Sequence, residues 1–278
     1  MRRFKQVDVF TAKPLFGNPV AVVLEADGMS DADMQQFAQW TNLSETTFVL
    51  PATQAGADYR TRIFTPRAEL PFAGHPTLGT AHAVIEAGIA VPKAGKLVMQ
   101  CTVGLVEVTA GEQGLSFRLP HYHYRPAPAQ DDLIAAIGGA DLVTGEPQVI
   151  DVGPHWVIAE IASADAIKAL APDLAALEAY DIAHKTTGLT VFAQDTDGII
   201  VRSFAPTDGI AEDPVCGSGN GAVAAYRLRA GQIGGGDTYR ASQGRQIGRD
   251  GVINIRVEGA NIHVGGQCVT VVEGQAAV

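Results

Sequence analysis

Hydrophobic and polar positions alternate with a period of two over Val7-Asp8-Val9-Phe10-Thr11, which predicts a strand buried on one face. A Pro- and Gly-containing cluster at residues 14–19 predicts a turn, and the apolar run 20–24 a second strand. Ser30, followed three residues later by Asp33, predicts a capped helix running to about Thr41 and stopping at Asn42-Leu43-Ser44. Glu45 then leads into 46–50, whose β-branched and aromatic residues predict a strand. A further strand over 59–65 ends at Pro66. A loop carries the chain to Phe72-Ala73-Gly74-His75-Pro76, and an Ala-rich helix is expected over 77–87. Strands fill 97–110, and Gln113-Gly114 marks a turn.

Residues 120–130, with Arg125-Pro126-Ala127-Pro128-Ala129, read as a linker. Beyond it the pattern predicts a short helix over 131–137 and strands over 149–152 and 155–161. Ser163 is expected to cap a helix over 164–170, and Pro172 to open another reaching about Leu177. The last third alternates short β runs with glycines, at 189–193, 198–204, 252–257 and 269–272.

The pattern repeats. Arg62-Ile63-Phe64-Thr65-Pro66 matches Arg202-Ser203-Phe204-Ala205-Pro206, 140 residues later. Gly74-His75 before one small-residue helix matches Gly217-Ser218 before another, 143 residues later. Strand, proline, loop, glycine and helix recur in the same order, which predicts two related lobes duplicated from one unit, with the chemistry in the cleft between them. The expected boundaries are 1–118 with a C-terminal strand at about 267–278 for the first lobe, and 119–266 for the second. Each glycine either permits a tight turn or opens a helix whose free N–H groups hold an anion; the duplication favours the anion reading.

Composition narrows the function. Apolar residues make up 46% and charged residues 18% of 278, as in a folded globular protein. The formal net charge of −10 argues against a general nucleic-acid or anionic-membrane surface, though a local pocket for a small anion remains compatible with it. No run approaches the roughly 18 apolar residues of a spanning helix, and Asp8 interrupts any leader-like start. Three scattered cysteines, Cys101, Cys216 and Cys268, argue against a disulfide framework or paired-cysteine zinc site and point to the reducing cytoplasm. His121-Tyr122-His123 has no acidic or Cys cluster near it in sequence, so no metal is expected, and Gly234-Gly235-Gly236 reads as a turn.

Asp8-Val9-Phe10-Thr11, Gly17-Asn18-Pro19, Asn42-Leu43-Ser44-Glu45-Thr46, Phe64-Thr65-Pro66, Leu70-Pro71-Phe72-Ala73-Gly74-His75-Pro76 and Glu212-Asp213-Pro214 with Gly217-Ser218 resemble the phenazine-biosynthesis PhzF family, in the same order across nearly the whole chain. The resemblance implies an α+β fold like diaminopimelate epimerase: two pseudo-symmetric lobes, each a β-barrel-like sheet around a central helix. It implies cofactor-free isomerase chemistry on a small carboxylate in a homodimer, of the type that shifts a proton within trans-2,3-dihydro-3-hydroxyanthranilate. Carried over, Glu45 is the general acid/base. His75, Asp213 and Ser218 are polar substrate contacts, and Gly74 and Gly217 form the carboxylate cradle.

The residues also permit plainer roles. A single Glu at a strand entrance is commonly solvated, His75 can be structural, and Asp213 can belong to an Asp-Pro turn. Cys216 departs from the phenazine-pathway pattern, which has threonine there. Its place resembles that of a catalytic cysteine in proline racemases and diaminopimelate epimerases, and a helix N-terminus stabilises a thiolate. The partner cysteine would fall at Ala73, which carries no proton. Cys216 is therefore a packing residue, a neighbour of the substrate, or a second acid/base in a racemase or epimerase with Glu45. A non-catalytic carboxylate-binding member is the remaining alternative.

Overall fold

The computed structural model describes residues 1–278, the side chain of Ala140 excepted. In chain order it begins β1 (Arg2–Val9), β2 (Asn18–Val23), α1 (Asp31–Thr41), β3 (Thr46–Leu50), β4 (Tyr59–Phe64), β5 (Glu69–Leu70), α2 (Gly74–Glu86), β6 (Lys96–Cys101), β7 (Gly104–Gly111) and β8 (Gly114–Arg118). It continues with β9 (His123–Pro126), α3 (Gln130–Ile137), β10 (Gln148–Asp151), β11 (His155–Glu160), α4 (Ala164–Ala169), α5 (Leu174–His184), β12 (Gly188–Asp195), β13 (Gly198–Ala205) and β14 (Ile210–Asp213). The last elements are α6 (Gly217–Arg229), β15 (Thr238–Gln243), β16 (Gly251–Glu258), β17 (Asn261–Gly266) and β18 (Cys268–Ala276). The chain divides into two compact units, Met1–Arg118 with Gly265–Val278, and Leu119–Val264.

The first unit runs β18, β1, β2, β3, β4, β6, β7, β8, with β5 on the side of β4. Its pairings are antiparallel except β2 with β3 and β4 with β6. The second unit runs β9, β10, β11, β12, β13, β15, β16, β17, with β14 on β13 and parallel pairs at β11–β12 and β13–β15. The order of parallel and antiparallel pairs is the same in both. The sequence repeat is therefore a repeat of topology, and β18 stands to β1 as β9 stands to β10.

In each unit the sheet wraps a 13-residue helix, α2 or α6, whose side chains are buried on most sides. Small side chains line most of both helices, so each can be enclosed in this way. Gly79 shows how close the packing is: a Cβ there would lie 2.3 Å from Val20 Cγ1. On the outer face of the first sheet, α1 seats Met34, Phe37 and Ala38 against Phe48 and Phe64. On the second, α3, α4 and α5 cover a core that includes Leu133, Ile167, Leu177 and Val191.

Several boundaries differ from the sequence expectation. α2 starts at Gly74, not Thr77, because Pro76 sits in the first turn, where its missing N–H has no intrahelical acceptor to lose. α5 is capped by Asp173, whose Oδ1 accepts from the N–H groups of Ala175 and Ala176 at 3.0 Å each, so Pro172 precedes the helix and does not open it. The segment expected as a linker contains β9, paired with β10 from His123↔Asp151 to Pro126↔Gln148. No described helix is long and apolar enough to cross a membrane.

Asp181 of α5 is 2% exposed and accepts a 2.5 Å hydrogen bond from Thr186 Oγ1. Burial pushes its carboxyl up to about 6, with the nearby Asp208 charge adding to the rise and the Thr186 bond opposing it. Between about pH 4 and 6 the folded protein thus holds a proton that the unfolded chain has lost, and stability falls as pH rises through that window. We expect Asp181→Asn to reduce that slope in urea unfolding measured from pH 4 to 7 without abolishing it, because burial raises Asp213 to about 6 as well. An unchanged slope would assign it to other groups.

Candidate active site

In the first unit the site begins where α1 ends. Asn42 closes that helix in the left-handed conformation (φ 52°), and the Thr41 and Thr46 hydroxyls lie 2.8 Å apart across the turn. Glu45 is thereby placed at the mouth of β3. Facing it is the first turn of α2, set by Ala73 in extended conformation and a 2.8 Å bond from Thr77 Oγ1 to the Ala73 carbonyl. Gly74 is required here: a Cβ would stand 2.7 Å from the Phe117 ring, itself packed against Phe72 at 5.5 Å.

His75 follows in that turn, and its Nε2 lies 3.4 Å from Glu45 Oε2, with side-chain exposures of 8% and 15%. Burial holds the imidazole down at about 3, against a hydrogen bond with the Pro19 backbone that favours the charged ring. Pro19 has no N–H, so the ring is the donor. A neutral ring whose other nitrogen donates to a carbonyl turns the Nε2 lone pair towards Glu45. Upstream, Asp8 Oδ2 accepts from Gly17 N–H at 3.4 Å, and a Cβ on Gly17 would lie 2.4 Å from the Val9 carbonyl oxygen. The Asp8 and Gly17-Asn18-Pro19 motifs therefore shape the turn that presents the Pro19 carbonyl.

In the second unit, Asp213 Oδ1 accepts from Val215 N–H at 3.0 Å, and burial pushes this carboxyl up to about 6. Cys216 caps α6, its Sγ accepting from Gly219 N–H at 3.2 Å and lying 3.5 Å from Ser218 Oγ. Burial first, and the Asp213 charge second, push the thiol well above its ordinary value. The thiolate expected at a helix N-terminus is thus disfavoured, because desolvation outweighs the helix dipole. Gln243, 1% exposed, secures the whole turn. Its Oε1 accepts from Cys216 N–H at 3.1 Å and from Asn220 Nδ2 at 2.9 Å, and its Nε2 donates to the Asp213 carbonyl at 3.0 Å. Ser218 Oγ accepts from Trp156 Nε1 at 3.0 Å.

Sequence reasoning singled out neither Gln243 nor Trp156. Each is remote in the chain from the turn it holds and belongs to no repeated motif. The three thiols are free; Cys101 ends β6 and Cys268 begins β18. His121 and His123 stack at 5.3 Å, and His121 Nε2 lies 3.5 Å from Asp151. Among the described residues no group of three His, Cys, Asp or Glu is arranged to hold a metal ion.

Sheet register aligns the two units residue by residue. Thr46 pairs with Phe64 as Leu189 pairs with Phe204, so the position of Glu45 is Gly188 in the second unit. Likewise His75 corresponds to Ser218, and Ala73 to Cys216. Gly188 is closed to any side chain: a Cβ would meet the Phe204 carbonyl oxygen at 2.1 Å and the Trp156 ring at 2.9 Å. We expect Gly188→Ala to destabilise the fold by about 2 kcal/mol or more through overpacking, read as a lowered urea midpoint. A neutral result would show that β12 and β13 part without strain.

The comparisons agree with this architecture. The family model for phenazine biosynthesis-like proteins matches residues 7–277. The chain is 39% identical to antisense-enhancing sequence 1 of Schizosaccharomyces pombe, over 99% of this chain and 98% of that one. It is 36% identical to the trans-2,3-dihydro-3-hydroxyanthranilate isomerase of Pseudomonas aeruginosa, over 99% of each. The crystal structure of a Bacillus anthracis phenazine biosynthesis protein of the PhzF family superposes with a TM-score of 0.87 at 26% identity, covering 100% of this chain and 99% of that one. With the Glu45–His75 pair, the duplicated glycine-led helices and a match that spans nearly every residue, the chain belongs to the PhzF-like, phenazine biosynthesis-like family.

Proposed function

We propose that the protein is an isomerase that moves a proton on a small carboxylate substrate, with Glu45 as general acid/base, in the manner of a trans-2,3-dihydro-3-hydroxyanthranilate isomerase. The observation that carries this reading is the 3.4 Å approach of Glu45 Oε2 to a buried, neutral His75. In the forward step the Glu45 carboxylate takes a proton from a substrate carbon, and the electron pair of that C–H bond moves into the adjoining π system. Glu45, now protonated, can hydrogen-bond to the His75 Nε2 lone pair, which holds the acid in place while its proton exchanges with solvent. It then returns a proton at the far end of the π system, and atoms and charge balance with no other reactant.

In the first unit the N–H groups of the turn entered by Gly74 suit a substrate oxygen, and in the second unit the turn entered by Gly217 does likewise, with Asp213 and Ser218 as polar contacts. The reading includes no cofactor, and a cytoplasmic homodimer, as the family resemblance implies. The test is solvent deuterium incorporation during turnover of trans-2,3-dihydro-3-hydroxyanthranilate, the substrate named for the Pseudomonas relative. Label at one carbon of the isomerised product, lost in Glu45→Gln, supports the reading; a wild-type protein that neither isomerises nor labels the compound overturns that substrate type.

The racemase or epimerase reading, with Cys216 as the second base, fits the structure less well. A base must be deprotonated at working pH, and burial beside Asp213 opposes that here. Full activity in Cys216→Ala would remove it.

A further inference from the structure

The register that places Gly188 opposite Glu45 in the repeat also shows what replaced the acid. In the second unit the ring of Trp156, 3% exposed, stands against Gly188, and its N–H reaches Ser218, the counterpart of His75. One unit thus holds an acid and an imidazole, and the other an indole and a hydroxyl. We propose that Trp156 is a positioning residue for substrate binding in the second unit, orienting the Ser218 hydroxyl as a donor to a substrate oxygen while its ring, with the Phe204 carbonyl, fills the room a second acid would need.

An indole N–H only donates, so in this bond Ser218 Oγ is the acceptor. A buried indole N–H left without an acceptor carries a desolvation cost, so this bond selects one serine rotamer. With one lone pair committed, the hydroxyl hydrogen turns away from the indole, towards Cys216 Sγ 3.5 Å away, a weak acceptor that a carboxylate or carbonyl oxygen can displace. A substrate group that only donates, such as an ammonium, would have to share the remaining lone pair. The geometry behind the serine is rigid. The next residue but one, Asn220, is tied to the Cys216 carbonyl at 2.9 Å, and a Cβ on Gly219 would lie 2.7 Å from Thr190 Oγ1, so the turn does not retreat. Rotation of Ser218 about its own side-chain bond is then the freedom that Trp156 removes.

This inference rests on the proposed role of Ser218 as a substrate contact, and the experiment separates the two. The chain has two tryptophans, and Trp40 is 78% exposed on α1, so Trp40→Phe leaves Trp156 as the sole tryptophan emitter. In that background Trp156 is changed to Phe, or replaced by benzothienylalanine, which keeps the ring volume and lacks the N–H; the second variant answers the case in which the first does not fold. Each is made with and without Ser218→Ala.

With trans-2,3-dihydro-3-hydroxyanthranilate, loss of the N–H is expected to raise KM about tenfold while kcat changes less than about threefold, the scale of one hydrogen bond. In the Ser218→Ala background the same change is expected to have no further effect. A KM effect that persists without the Ser218 hydroxyl, or no KM effect at all, would overturn the proposal. If the wild type does not turn the compound over, the isomerase reading fails by itself, and the affinity for 3-hydroxyanthranilate decides the inference. That affinity is read by Trp156 emission in the Trp156-containing proteins and by calorimetry in the substituted ones. A Ser218-dependent, roughly tenfold loss supports it; unchanged affinity, or no binding of the probe by the wild type, overturns it.

Discussion

Glu45→Gln is expected to lower turnover and solvent deuterium incorporation by about 10³-fold, within the range that a positioned acid/base supplies, with KM changed less than about threefold. The amide has nearly the same shape as the carboxylate and leaves the packing around His75 in place. What it lacks is a group able to take a proton from carbon. Because burial holds His75 at about 3, the imidazole stays neutral across the working range, and the kcat/KM profile is expected to show no break near pH 6.5 from that residue. Retention of more than about a tenth of the activity in the glutamine variant would move the chemistry away from Glu45.

The second large effect concerns stability, and the repeat provides its own control. Arg62 makes a two-pronged pair with Glu69 at 2.7 Å on both arms, and Arg202 with Glu212 at 2.9 and 2.7 Å; each guanidinium also lies over a phenylalanine, Phe64 at 5.1 Å and Phe204 at 5.0 Å. The environments differ. Side-chain exposures are 20% and 34% in the first pair and 8% and 8% in the second, where Arg202 also donates to the Ile167 and Leu170 carbonyls. Glu212→Ala would strand a buried guanidinium, a loss of about 3–5 kcal/mol. A fall in Tm on the order of 10 °C is expected for a unit of this size. Glu69→Ala should cost about 1 kcal/mol or less, because water and Asp31, 2.6 Å from Arg62, still serve that charge. Equal losses from the two substitutions would refute the burial argument.

These two residues show how far the chain explains itself before it is folded. The Arg-x-Phe-x-Pro match locates β4 and β13, and the glycine-led helices locate α2 and α6, because period and small-residue content are local properties. Glu45 and His75 are identifiable as motif residues, but their approach to 3.4 Å depends on a helix end and a strand entrance 30 residues apart. Gln243 and Trp156 are harder still. Each meets its partner only because the sheet wraps the first turn of α6, and nothing near either residue in the sequence marks it. β9 is obscured for a different reason: His123 to Pro126 has no apolar alternation, and it is a strand because β10 offers an edge.

The pairing of β18 with β1 has a consequence for the order in which the chain is made. The second unit carries its own first strand, β9, ahead of β10, with α3 between them. The first unit has the equivalent strand at the far end of the sequence, so it is a circular permutation of its sibling. A ribosome therefore delivers all of the second unit while the first still lacks the strand beside β1, and the N-terminal half waits on residues 268–276 to complete its sheet. Transferring that strand to a position ahead of Arg2 would let both halves close in the order they are synthesised.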